Sequence, residues 1–136
     1  MPVIRHAEAR RTETPNAVMT TYASPTQGST GLALWRVDMR AGGTGPLHAM
    51  DVEQVWTLLT GSATVDLVEG PVTVAAGDTL VLPADTARQF TTADGFTAVV
   101  AGPSPAHAYN LDAVTPEGAC AMAPRDAERV LPAWIA

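Results

Sequence analysis

His48, Gln54 and Arg88 are side chains whose types suit work on a small molecule. A neutral imidazole at His48 can relay a proton near neutral pH or bind a metal. The structural alternative is a buried histidine fixed by a backbone hydrogen bond. Gln54 can orient a ligand through its amide but cannot serve as a base; otherwise it lines the interior and satisfies a backbone group. Arg88 carries a fixed positive charge and a planar fork suited to carboxylate or phosphate; as a surface residue it would instead pair with Asp85 or Asp51. Met50 supplies a thioether, which suits a soft ion such as Cu(I) and otherwise forms an apolar wall. Glu53 is a solvated charge unless a bulge at Val52 or Glu53 swings it inward beside His48. Trp56 and Phe90 are candidates to line a cavity, joined by Trp35 from a neighbouring strand. His107 and Tyr109 fall in a segment that reads as a surface loop or a cover over the cavity mouth. His6 reads as a solvated terminal residue. Cys120, the single cysteine, has no second Cys or His nearby in sequence and reads as inert.

Positioning these groups falls to short β-strands. Leu32 to Met39 alternates, with Trp35, Val37 and Met39 on one face and Arg36 and Asp38 on the other, as a half-buried strand does. Further strands are expected over Asn16–Ser24, Gln54–Leu59, Ala63–Val68, Val72–Ala75, Thr79–Leu82, Arg88–Thr91 and Phe96–Ala101, with Gly, Asp and Ser turns between them. Thr60-Gly61-Ser62 is expected to split the second and third of these. Met1 to Thr14 suits an edge segment or a short helix. Regular spacing of short strands indicates an all-β sandwich or barrel. The barrel core is expected over about 16–102, with an irregular or helical tail over 103–136 inside the same single domain, 1–136. Pro124 to Val130 is the candidate helix, with Pro124 at its first position. The apolar end from Leu131 to Ala136 is expected to dock on the barrel or on a partner subunit.

The spacing of two blocks identifies a family. Gly42, His48 and Gly61 bracket a run in which Met50 and Gln54 occupy the intervening sites. This resembles the first cupin motif, which reads Gly, five residues, His, one, His, three or four, Glu, six, Gly. Gly77-Asp-Thr-Leu-Val-Leu-Pro83-Ala-Asp85-Thr-Ala-Arg88 resembles the second. Gly77 and Pro83 fit it, Asp85 stands at a Gly, Arg88 at a His, and Thr92 where Asn is usual. The resemblance runs from Gly42 to Arg88, about a third of the chain. It implies a cupin-type double-stranded β-helix, a jelly-roll barrel of the RmlC-like kind, that has kept the barrel and given up most of the metal site. With the usual cupin bend between Met50 and Gln54, strand alternation turns His48, Met50, Gln54 and Trp56 inward, along with Arg88 and Phe90. Asp51, Glu53 and Val55 then point away or lie in the bend. The resemblance also implies a homodimer, and it does not choose an activity.

Composition narrows the partners. A formal net charge of -6, with no basic run longer than Arg10-Arg11, argues against nucleic acid and anionic membrane. All eight cations are Arg, so Schiff-base chemistry through a lysine amine is excluded. A single Cys permits no internal disulfide. No apolar stretch is long enough to cross a bilayer and Met1 to Thr14 lacks the apolar core of a signal peptide, so a cytoplasmic protein is expected. The first functional expectation is a metal-independent isomerase, dehydratase or epimerase acting on an anionic small molecule. In it His48 is the acid/base, Arg88 and Gln54 hold the ligand, and Met50, Trp56 and Phe90 form the wall. A non-catalytic ligand-binding or sensing protein is the second. A metal-dependent oxygenase is the third. No cofactor is expected; a divalent transition metal, if bound, would use His48 with Gln54 or Glu53 and perhaps His107.

Overall fold

The computed structural model describes residues 2–110 and 129–136. Cys120 and most of the helix expected over 124–130 lie outside them. Ten strands follow in order: β1 (Arg10–Glu13), β2 (Ala17–Ala23), β3 (Leu32–Met39), β4 (Ala49–Met50), β5 (Gln54–Leu67), β6 (Gly70–Ala75), β7 (Thr79–Leu82), β8 (Gln89–Thr91), β9 (Phe96–Pro103) and β10 (Ala108–Tyr109). Every pairing between them is antiparallel. The sheet runs β1-β2-β3-β9-β5-β6, with β7 and β8 also paired to β5, and β4 pairs with β10 separately. The architecture is all-β, as expected. Its sheet starts earlier than residue 16, at Arg10, and strand pairing continues past 102 to Tyr109.

Alternation sets the core. On β3 the side chains of Ala33, Trp35, Val37 and Met39 are buried and those between them are not. Trp35 therefore belongs to the packed interior with Leu58, Val65, Leu82, Phe90, Phe96, Val100 and Ile135. Removing this apolar surface from water is the main force holding the layers together.

Strand β5 corrects one expectation. Gln54–Leu67 is one continuous strand, with a register shift between Leu58 and Thr60 rather than a break. Its first half pairs with β7 and its second with β6 and β8, so the strand passes from one layer of the barrel to the other. Gly61 makes this possible. Its φ of +77° is in the left-handed region, and a Cβ there would run into the Gly95 carbonyl. The turn residues that read as a break are a bend within a strand.

The chain's end docks on its own barrel. Ile135 is buried, Ser104 Oγ donates to the Ile135 carbonyl at 2.9 Å, and Thr21 Oγ1 donates to that of Trp134 at 2.7 Å. Val130 forms a bridge with Ala108. Residues 2–14 hold a 3-10 turn (His6–Glu8) and, as the expected edge segment, the edge strand β1.

Candidate functional site

His48 and Arg88 are joined through their backbones. The His48 N–H donates to the Arg88 carbonyl at 3.1 Å, and the Arg88 N–H to the His48 carbonyl at 2.9 Å. This is a hydrogen-bonded antiparallel pair, so the two side chains leave on the same face. The loop carrying Arg88 is pinned to β4 by the Asp85 N–H, which donates to the Met50 carbonyl at 2.7 Å. Asp85 has φ +60°, which explains why glycine suits this position and why an aspartate is tolerated. Gly45 and Gln89 tie the approach to His48 onto β8: the Gly45 N–H donates to the Phe90 carbonyl and Gln89 Nε2 to that of Gly45. Thr92 serves a structural role, donating to the Ser62 carbonyl and accepting from the Gly95 N–H.

Arg88 is only 1% exposed. Its Nε donates to the Thr86 carbonyl at 2.9 Å and its Nη1 to Gln54 Oε1 at 3.3 Å, while its buried Nη2 has no hydrogen-bond partner among the described residues. The expected alternative of a surface arginine paired with Asp85 or Asp51 is thus not what the fold builds. Asp85 instead accepts from Tyr109 Oη at 2.7 Å. Asp51 accepts from the His107 N–H at 2.7 Å, faces His107 Nδ1 at 3.1 Å, and lies 3.6 Å from Arg129 Nη1. Burial lowers the Arg88 pKa to about 10, partly opposed by Tyr109, so the guanidinium stays charged at neutral pH.

Gln54 is buried, and its Oε1 accepts from both Arg88 Nη1 and Trp56 Nε1, the latter at 3.3 Å. Both partners can only donate, which fixes which end of the amide faces them. His48 is partly buried, with Nδ1 3.0 Å from the Pro46 carbonyl. Its pKa falls to about 4, from burial first and the Arg88 charge second, with the Pro46 carbonyl opposing. Met50 is buried beside them. Trp56 stacks on Phe90 with centroids 4.4 Å apart, and Phe90 tilts against Phe96 at 6.1 Å. Arg88 and Phe90 face the interior together, as strand alternation requires. Glu53 is exposed at the mouth of β5, without an inward swing.

Sequence reading missed the element formed by His107 and Tyr109. His107 lies just before β10 and Tyr109 within it; the strand pairs Ala108 with Met50 and Tyr109 with Ala49. Tyr109 is thus on a short strand, and His107 is in the loop that leads into it. The strand completes the wall beside His48. Arg129 reaches back over the Tyr109 ring at 4.4 Å, linking the two. The alternation Ala-His-Ala-Tyr was the available signal, too short to separate from loop. A shallow groove of about 500 Å³ lies elsewhere, lined by Val18, Met39, Phe96 and neighbouring turn residues, and includes none of His48, Gln54 and Arg88.

The residues present do not fit a divalent metal. Gln54 Oε1 is a neutral acceptor already used by two donors, Met50 is a soft thioether, and a buried guanidinium stands where a further ligand would be needed. Among the described residues no three His, Cys, Asp or Glu side chains converge to share an ion.

No family model and no curated protein matches this sequence. Solved structures do match its shape. The polyketide cyclase RemF from Streptomyces resistomycificus aligns at TM-score 0.67 and 18% identity, over 83% of this chain and 88% of that one. KdgF from a Halomonas species aligns at 0.64 and 16%, over 75% and 94%. An RmlC-like cupin from Shewanella frigidimarina aligns at 0.64 and 14%, over 74% and 88%. Identities this low speak for the fold alone: together with the strand order they show that this barrel has the cupin fold.

Proposed function

We propose that this cupin binds an anionic small molecule at Arg88 and transforms it by metal-independent proton transfer, with His48 as acid/base and Gln54 orienting the ligand. The observation that carries this reading is the buried guanidinium whose Nη2 lacks a partner among the described residues. Burying a charge without a carboxylate beside it is costly, and an anionic ligand removes that cost. Isomerisation, epimerisation and dehydration all suit a single positioned base, and the cyclase among the fold neighbours is a small-molecule enzyme too. Met50, Trp56 and Phe90 supply the apolar wall. Titrating the protein with small carboxylates and phosphates tests the binding half, which Arg88→Met should abolish. Once a substrate is in hand, His48→Ala should slow turnover by about 10²–10⁴-fold; an unchanged rate removes His48 from the mechanism.

A non-catalytic ligand-binding role is the second reading. It is favoured by the low pKa of His48, because an imidazole lowered to about 4, by burial first and by the Arg88 charge second, is a weak base. Tight binding with the ligand recovered unchanged would decide for it. Whichever reading holds, the resemblance to cupins implies a homodimer, and we propose one here. Leu34, Ala101, Val55 and Val81 stand in register across β3, β9, β5 and β7 on the outer face, and they are the surface a second copy would cover. Light scattering giving a monomer mass would exclude it.

A further inference from the structure

The hydrogen-bonding capacity left over at the site has a definite pattern. On the Arg88 side everything is a donor. Nε is committed to Thr86 and one N–H of Nη1 to Gln54, and Nη2 is left with no partner among the described residues. Because Gln54 Oε1 is taken by two obligate donors, the end of that amide left over is its Nε2, also a donor. On the His48 side the position is reversed. The Pro46 carbonyl can only accept, so Nδ1 must carry the ring proton. Nε2 is then a bare acceptor, with no partner among the described residues.

The acidic residues of the two motif blocks cannot fill the gap. Asp85 is engaged with Tyr109, Asp51 with His107 and Arg129, and Asp78 with the Ala75 N–H, while Glu53 is exposed. The surroundings are otherwise apolar, with Met50, Phe90 and the Trp56 indole around one buried positive charge. One charge of that kind is balanced by one negative charge; a dianion would leave a buried excess. An anion without a donor would also set its own lone pairs against His48 Nε2.

Resting on the anion-binding reading above, we propose that the ligand is a hydroxycarboxylate: a monocarboxylate held by Arg88 Nη2 and Gln54 Nε2, with a hydroxyl that donates to His48 Nε2. The paired backbones of His48 and Arg88 place the two halves of this recognition side by side.

The test uses mandelate, phenylacetate, benzyl alcohol and inorganic phosphate as probes, measured by calorimetry on the full chain. Mandelate should bind about fivefold to tenfold more tightly than phenylacetate, the worth of one neutral hydrogen bond. Benzyl alcohol should not bind detectably. His48→Phe should bring the mandelate-to-phenylacetate ratio to about one, and Arg88→Met should abolish binding of both. A measurement free of any variant is the nitrogen resonance of His48 Nε2 in wild-type protein, which should move with mandelate and not with phenylacetate. Equal affinities for the two acids, both lost in Arg88→Met, would overturn the hydroxyl contact and leave the anion site standing. Phosphate binding more tightly than either acid would overturn the carboxylate. Binding of none of the anions would overturn the anion site, and this inference with it.

Discussion

Arg88 is a residue whose stability cost and binding role should separate cleanly. Its guanidinium is buried with one nitrogen lacking a partner among the described residues, and burial has pulled its pKa down to about 10. Met has a similar length and no charge. Arg88→Met should therefore stabilise the ligand-free protein by about 1–3 kcal/mol, seen as a higher midpoint in thermal unfolding, while anion binding is lost. A lower midpoint would mean that Arg88 is structural. His48 gives a second prediction. Its pKa is lowered from 6.5 to about 4, so the native state refuses a proton that the unfolded chain accepts. The contribution is fully present above pH 6.5 and is lost as pH falls toward 4, amounting to at most about 3 kcal/mol. Urea titrations across that range should show the loss in the wild type and not in His48→Gln. At this scale the sequence singled out the groups that the fold brings together but not their state. Types and spacing singled out His48, Gln54 and Arg88. The burial of Arg88, its missing partner and the tautomer of His48 all depend on contacts from Pro46 and Thr86, which spacing does not encode.

Elements explain why those contacts are held. Strand β5 carries Gln54 and Trp56 in one half and pairs with β8 in the other, so the two motif blocks are fixed to a single bent strand. The loop of residues 83–88 is secured by the Asp85 N–H on Met50 and by Tyr109 on the Asp85 carboxylate. With φ +60° at Asp85, the order of substitutions can be stated. Asp85→Gly keeps the backbone and loses one partly solvated hydrogen bond, for about 1 kcal/mol or less. Asp85→Val adds left-handed strain and should cost about 1–2 kcal/mol more. Denaturant midpoints for the pair check this; equal midpoints would mean that the loop relaxes out of its left-handed turn. The alternating strand Leu32–Met39 was fully legible, because a two-residue period reports a half-buried face directly. The unbroken passage through Thr60-Gly61-Ser62 was not. Glycine at a bend and glycine at a break look alike until the opposing Gly95 carbonyl is in view. Strand β10 was missed because two residues are too few to show a period.

At the scale of the molecule, the barrel is closed by its own C-terminal segment. Ile135 is wholly buried, and the carbonyls of Trp134 and Ile135 are capped by Thr21 and Ser104. Ile135→Ala should cost about 2–5 kcal/mol, as other large-to-small core changes do, read as a lower urea midpoint with unchanged secondary structure. A cost under 1 kcal/mol would show that the segment is an ornament on a barrel stable without it. The apolar end was legible as something that docks; its choice of the same chain was not, since the receiving surface is assembled from β2 and the turn after β9. The pairing of His48 with Arg88 has one more consequence. Both of its hydrogen bonds come from peptide groups, so the frame that sets the two side chains together is indifferent to what they are. In hereditary terms the site is a cassette. Codons for histidine and arginine can differ by a single base, and so can those for glutamate and glutamine. A lineage could cross between cation-holding and anion-holding chemistry at positions 88 and 54 by point mutation, with no strand moved and no turn rebuilt.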